Sequence, residues 1–257
     1  MVISGLKYPH EGYRKVLTGL SGYFTEYAGV YAVVLIGSLA RGRAVEGSCI
    51  DVCIFLHKEQ FDSLSSTIQS RKEAYSDLKG KILYHNGQLE GGVIFDDVRV
   101  DLVFTDGSFK AYIENSFDIT RDEFETTIGN LFVYGVPLYE EGGRYQQLRR
   151  RYLPYYPEDL RKARLEGTAE EFRFKIWKAR WLAERDQFFA ALDALLEAKR
   201  IFLQHLFIKE RKYPIDYTKW LKEQLLQILK KPSLYEELVM CVEEIELRKR
   251  SLCEKSK

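Results

Sequence analysis

The chain has 257 residues, 46% hydrophobic and 30% charged, which excludes disorder and collagen-like repeats and allows one large or two ordinary-sized folded units. Its 39 Lys and Arg against 38 Asp and Glu leave a net charge of +1, so no global field gathers nucleic acid or an anionic membrane, and any polyanion site must be local. The first residues lack the apolar core of a signal peptide and no stretch reaches the ~18 apolar residues of a membrane span, so the expectation is a cytoplasmic protein with no membrane partner.

From Glu11 to Ala28 the apolar residues Tyr13, Val16, Leu17, Leu20, Phe24 and Tyr27 recur every three or four positions, predicting an amphipathic helix that packs on a sheet. Residues Tyr31 to Ile36 form a short apolar, β-branched run that reads as a buried strand, turned by Gly37-Ser38. One or two helical turns over Leu39 to Ala44 are broken at Gly47-Ser48, and Cys49 to Leu56 is a second buried strand. A helix is expected over Glu59 to Leu78 and β structure over Lys81 to Phe104, its last two strands joined by a tight turn at Asp96-Asp97.

A helix near Arg121 to Phe132 follows. The Gly- and Pro-containing stretch from Gly135 to Arg144 then reads as a connector, dividing the chain into domains 1–142 and 143–257. Beyond it the periodicity is helical, carried by Trp177, Trp181, Phe188, Leu192, Leu195, Leu196, Phe202, Leu206 and Phe207. Trp177, Trp181 and Trp220 are expected in its core. Pro214 and Pro232 divide this region into at least three helices, the last over Ser233 to Leu252. Arg149, Arg150 and Arg151 read as solvated surface rather than a nucleic-acid platform, and Glu184 and Asp186 as capping or surface charges.

Cys49, Cys53, Cys241 and Cys253 include no CxxC pair, and on a strand the first two would stand roughly 13 Å apart, so neither zinc nor a disulfide is indicated. Phosphate-loop, dinucleotide-fold and nucleophile-elbow motifs are absent. Transfer of phosphoryl or nucleotidyl groups asks little covalent chemistry of a protein; it needs metal ions held by carboxylates, and a grip on phosphates. A strand running into Gly37-Ser38 at a helix start offers backbone N–H groups and a hydroxyl for phosphate, to which Arg41 and Arg43 add charge. Asp51 and position 49 leave the same face of one strand. Asp101 lies inside the apolar run VRVDLVF, where a carboxylate is expensive unless paired with a cation or bound to a metal.

The stretch VVLIGSLARGRAVEGSCIDVCIFL resembles the signature of the DNA polymerase beta-like nucleotidyltransferase superfamily: an apolar strand, Gly-Ser, an Ala-Arg-Gly turn, then Ser-Asp-hydrophobic-Asp. Gly37, Ser38, Ala40, Arg41, Gly42, Ser48 and Asp51 stand in matching positions, Asp101 matches the later third carboxylate, and Cys49 stands where the first aspartate belongs. The resemblance implies an α+β fold, a mixed sheet with flanking helices followed by an all-helical domain. That second domain is similar to those of aminoglycoside and lincosamide nucleotidyltransferases, which form the acceptor side of a cleft. It implies a metal-dependent enzyme transferring a nucleoside monophosphate, AMP from ATP, to an acceptor hydroxyl. Asp51 and Asp101 would be the catalytic metal ligands, and Gly37, Ser38, Arg41 and Ser48 would bind the nucleotide. The cofactor would be magnesium, with manganese as a softer option, since a thiol at position 49 is a poor ligand for magnesium. Glu46 is a possible replacement ligand, and Cys49 has an alternative reading as a small inert hydrophobe. Two further readings are a weakened nucleotide-binding pseudoenzyme and an antitoxin-like module whose helical domain pairs with a protein partner.

Overall fold

The computed structural model describes residues 6–70, 82–85, 88–95, 98–109, 111 and 123–240, with side chains described for 6–65, 98–109, 111 and 123–240. The predicted helix ends at Leu78 and Leu252, the turn at Asp96-Asp97, and Cys241 and Cys253 lie outside those residues. The chain divides into two compact units, Met1–Tyr112 with Thr127–Pro157, and Ile113–Thr126 with Glu158–Lys257.

The first unit is built on a mixed sheet of six strands, β1 (Val30–Ile36), β2 (Ile50–Leu56), β3 (Ile82–His85), β4 (Gln88–Phe95), β5 (Val98–Thr105) and β6 (Val136–Glu140), in the order β3-β4-β5-β2-β1-β6. The β2–β5 pair is parallel and the other four are antiparallel. Helix α1 (Glu11–Thr25) starts where His10 Nδ1 accepts the Gly12 N–H at 3.1 Å and buries Tyr13, Val16, Leu17, Leu20 and Phe24, the expected stripe; Tyr27 lies past its end and is exposed. The stripe packs on alternate residues of the strands: Ile50, Val52, Ile54 and Leu56 of β2, and Val98, Val100, Leu102 and Phe104 of β5. Residues of the other parity, Asp51, Cys53 and Phe55 on β2 and Arg99 and Asp101 on β5, therefore face the opposite side. There Phe55 meets Phe132 and Tyr145 at 6.3 and 5.5 Å between ring centroids, and Tyr152 stacks on Phe132 at 5.7 Å. Phe132 sits in the π-helical turn Gly129–Val133, which continues helix α4 (Phe124–Ile128); Tyr145 and Tyr152 sit on helix α5 (Arg144–Tyr152). One face of the sheet is thus closed by α1. The other is closed by aromatics at the Phe55 end and carries its acids at the Asp51 end.

Strand β6 occupies most of the stretch Gly135 to Arg144, which the sequence marks as the end of a lobe and the start of a connector. It is five residues long, edges the sheet beside β1 with a register shift, and contains Pro137, which only an edge strand tolerates, so it carries little strand signal of its own. The helical stretch expected at Leu39 to Ala44 is one turn, α2 (Gly37–Ala40), and the helix expected at Glu59 is α3 (Lys58–Ser70).

In the second unit, α6 (Glu158–Ala183) and α7 (Phe188–Lys209) form a hairpin. Buried side chains along the hairpin include Ala179 on α6 and Ala191, Ala194, Ala198 and Ile201 on α7, and Phe172 of α6 meets Phe202 of α7 at 5.8 Å between ring centroids. Farther along α7, Leu203 and Phe207 join a second core with Tyr217, Leu225 and Leu229, closed over by a helix at 232–240. The short helix α8 (Leu221–Glu223) precedes a π-helical turn at Gln224–Ile228. The expectation that Trp177, Trp181 and Trp220 lie in the core is corrected: they are 56%, 40% and 40% exposed. Of the residues that carried the helical periodicity, Phe207 is buried and Phe202 meets Phe172 of α6, whereas Trp177, Trp181, Phe188, Leu192, Leu195 and Leu196 are exposed. No helix of the described residues is long and apolar enough to cross a membrane.

A buried ion pair ties Glu125 into this unit. Arg164 donates to both oxygens of the Glu125 carboxylate at 2.5 and 2.7 Å, and Gln204 Nε2 and Tyr217 OH donate to Oε2 at 3.2 and 3.3 Å. Both charged side chains are almost wholly removed from water. Removing the cation alone strands the carboxylate, so Arg164→Leu is expected to destabilise the helical unit by about 3–5 kcal/mol. The double variant Arg164→Leu with Glu125→Leu should recover most of that loss, as read from urea unfolding followed by far-UV circular dichroism.

Candidate functional site

The site begins where β1 ends. Ile36 pairs with Asp51 across the antiparallel β1–β2 ladder, and the next residue, Gly37, opens α2 with φ +70°. A side chain on Gly37 would collide with the Asp51 carboxylate, so only glycine satisfies both the backbone angle and the acid that folds against the turn. On the other side of β2 the parallel ladder sets Asp51 directly beside Asp101, with Ile50 beside Val100. Cys49 precedes the strand by one residue. One ligand atom from each of Cys49, Asp51 and Asp101 falls within 4.8 Å of the other two, and all three residues are half-buried. Among the described residues these three form the group suited to a cation.

The backbone at position 49 is anchored from its N-terminal side. Tyr13 OH on α1 donates to the Ser48 carbonyl at 2.7 Å, and Ser48 closes a turn with Val45, its N–H donating to the Val45 carbonyl and its hydroxyl accepting the Val45 N–H, both at 3.0 Å. Ser48 therefore serves as a turn former that aims Cys49. Ser38 lies half-buried in α2, and its carbonyl accepts the Arg43 N–H at 2.8 Å, which folds the following loop back over the turn. Arg41 is half-buried beside it, whereas Arg43 and Glu46 are exposed, and Glu46 is not part of the three-residue group.

Arg99 is the site residue that the sequence reading passed over. It lies two positions before Asp101 on β5, hence on the same face, and its Nε donates to Asp101 Oδ1 at 2.8 Å. The alternation in VRVDLVF was the available signal. Asp101 is thus paired with a cation, and it also belongs to the group of candidate ligands. Burial, first, then a hydrogen bond to Asp101 and the charges of Asp101 and Asp51 push the Cys49 thiol above the usual cysteine range, with Arg99 opposing them. The thiol consequently stays protonated at neutral pH and acts as a donor to Asp101, where a carboxylate would be an anionic acceptor.

Gly37→Ala should destabilise the chain by about 1–3 kcal/mol and displace Asp51, weakening Mn2+ binding measured by electron paramagnetic resonance. Alkylation of Cys49, followed by peptide mass spectrometry, should set in at higher pH than for glutathione, because the raised pKa delays thiolate formation. Asp101→Asn removes one negative charge and weakens the acceptor, and should move that onset to lower pH.

Residues 17–128 match the family model described as a nucleotidyltransferase domain, and residues 125–221 match one described as a domain of unknown function, DUF4037. No curated protein matches the chain. Among solved structures it is similar to a nucleotidyltransferase-like protein from Exiguobacterium sibiricum 255-15, at 10% identity over 89% of this chain and 66% of that one, with a TM-score of 0.41. It is also similar to an aminoglycoside 6-adenyltransferase from Bacillus subtilis, at 11% identity over 90% of this chain and 79% of that one, with a TM-score of 0.27. The chain spans just under two thirds of the first of these, 66% of its length. The nucleotidyltransferase match covers residues 17–128, the segment that holds Gly37, Cys49, Asp51 and Asp101.

Proposed function

We propose that the chain transfers a nucleoside monophosphate, AMP from ATP, to a hydroxyl acceptor, with Asp51 and Asp101 as the ligands of a divalent cation. The observation that supports this most directly is the register of β2 and β5, which sets the two carboxylates side by side beneath the Gly37 turn. Their hard oxygen donors suit magnesium or manganese; the neutral thiol of Cys49 does not. When bound, such a cation would offset triphosphate charge and ease deprotonation of the attacking hydroxyl. In this reading the Gly37 backbone and Ser38 hold phosphate oxygens, Arg41 neutralises them, and Ser48 keeps the start of β2 in place.

Cys49 leaves the cluster with two carboxylate charges instead of three, and Arg99 offsets one of those through its bond to Asp101. Losing one strong electrostatic contributor costs on the order of 3 kcal/mol in the transition state, or roughly a hundredfold in rate. The Arg99–Asp101 pair and the protonated thiol also favour a second reading, in which the site binds the nucleotide without transferring it. Titration of ATP with and without Mg2+ or Mn2+, combined with pyrophosphate release, separates the two. The expected result for the enzyme is metal-dependent binding with slow turnover that Cys49→Asp raises roughly a hundredfold and Asp51→Ala abolishes. Binding without turnover in any metal, even after Cys49→Asp, supports the second reading, and a Cys49→Asp variant unchanged in both metal binding and rate removes position 49 from the metal site.

A further inference from the structure

The donors gathered under the Gly37 turn are of two kinds, the sulfur of Cys49 and carboxylate oxygens of Asp51 and Asp101, with one ligand atom from each within 4.8 Å of the other two. Magnesium demands an octahedron of hard oxygens and gains nothing from the sulfur. Zinc takes four ligands, accepts sulfur and oxygen together, and in its open sites combines three protein ligands with one exchangeable position. Cys49, Asp51 and Asp101 supply such a set of three. With Zn–S of ~2.3 Å and Zn–O of ~2.0–2.2 Å, a tetrahedron places its donor atoms roughly 3.4–3.6 Å apart, so the group has to contract by about 1.4 Å at most. No CxxC spacing marks the chain for zinc; the donors converge because β2 and β5 align in parallel, with Cys49 one residue ahead of β2.

The surroundings suit a sulfur ligand as well. A metal-bound carboxylate is ordinarily held by a hydrogen bond from outside, and Arg99 provides one, its Nε donating to Asp101 Oδ1 at 2.8 Å. A thiolate with two carboxylates carries three negative charges, which Zn2+ and the Arg99 guanidinium match. With Mg2+ and a neutral thiol, the same four side chains and the cation keep one positive charge in excess. Cys53 lies on the same face of β2 but is wholly buried and stands outside the group of three.

We propose that Cys49 is a metal ligand and that it makes this a site for Zn2+, bound through the Cys49 sulfur and one oxygen each of Asp51 and Asp101, in preference to Mg2+. As the metal–sulfur bond forms, the S–H bond breaks and its proton leaves to solvent, with no change in the oxidation state of either partner. The proposal rests on the nucleotidyl-transfer reading for the presence of a cation here and deepens it by naming the class of that cation.

Co2+, which occupies zinc sites and reports its ligands by colour, is titrated into the full chain after removal of metal with a chelator, in the absence of nucleotide. The expected result is a thiolate-to-cobalt charge-transfer band in the near ultraviolet that saturates at one equivalent, disappears on addition of Zn2+ and survives a large excess of Mg2+. Cys49→Ser should abolish the band and weaken Zn2+ binding by more than ~10-fold, since loss of outer partners alone costs ~10–100-fold, while Mg2+ binding measured by calorimetry stays the same. Cys49→Asp should also abolish the band and should strengthen Mg2+ binding. Far-UV circular dichroism is expected to be unchanged in both variants, because the Tyr13 bond that anchors this stretch goes to the Ser48 carbonyl. A wild-type chain without the band overturns the proposal. So does a band that persists in Cys49→Ser, whose sulfur lies elsewhere, or one that Mg2+ displaces. Pyrophosphate release from ATP and Mg2+ by a chain without the band would sink this proposal and leave nucleotidyl transfer standing; a band without turnover in any metal does the reverse.

Discussion

The parallel pairing of β2 with β5 is the constraint on which the candidate site depends. It sets Asp51 against Asp101 while the residues between them in parity, Ile50 and Val52, and Val100 and Leu102, enter the core under α1. A slip of one residue in either strand would bury a carboxylate among those apolar side chains and expose the branched ones. Each unpaired carboxylate so buried would cost several kcal/mol. The hydrophobic core therefore enforces the alignment of the two acids. The turn at Gly37 adds the third side of the site: because Ile36 faces Asp51 across β1 and β2, the residue after Ile36 must leave room for the carboxylate, and only a residue without a side chain does.

Two like charges this close repel. With ligand atoms inside 4.8 Å, an effective dielectric of ~20 to ~80 gives a repulsion on the order of 1–3 kcal/mol between Asp51 and Asp101. Arg99 offsets part of this from the same face of β5, and the protonated Cys49 adds a hydrogen bond without adding charge. The cluster is thus balanced without a third acid. An aspartate at position 49 would restore the charge that favours a cation and would also increase the repulsion that the cation has to offset.

What the sequence made legible follows from which signals are local. The β-branched runs at Tyr31 to Ile36 and Cys49 to Leu56, the stripe of α1 and the glycine turn each announce themselves within a few residues, and each stands where expected. Strand β6 did not, because five residues containing Pro137 at a sheet edge show neither alternation nor a β-branched run. Arg99 was visible in principle, since a period of two puts it on the face of Asp101, but an arginine in a strand reads first as a solvated side chain. The tryptophans failed for a different reason. Periodicity reports which face of a helix is apolar and says nothing about which face is covered, and the covered residues of α6 and α7 include Ala179, Ala191, Ala194 and Ala198, which carry little hydrophobic signal. Glu125 was equally silent: nothing near it in sequence marks it as the partner of Arg164, 39 positions on.

Fold and chemistry are separable at position 49. The backbone there is held by the Tyr13 bond to the Ser48 carbonyl on one side and by the buried Ile50 on the other, and neither contact involves the side chain of residue 49. A change from thiol to carboxylate alters the charge and the donor character of the cluster while leaving untouched the strand, the turn and the Asp51–Asp101 alignment that define it. The strands and turn around Cys49 therefore hold Asp51 and Asp101 in register whatever side chain stands at position 49. In the proposed reaction, the side chain at position 49 would set how strongly a cation is held. Because position 49 stands at the half-buried edge of β2, outside the packed core, a change there alters the electrostatics of the site without disturbing the packing of the sheet.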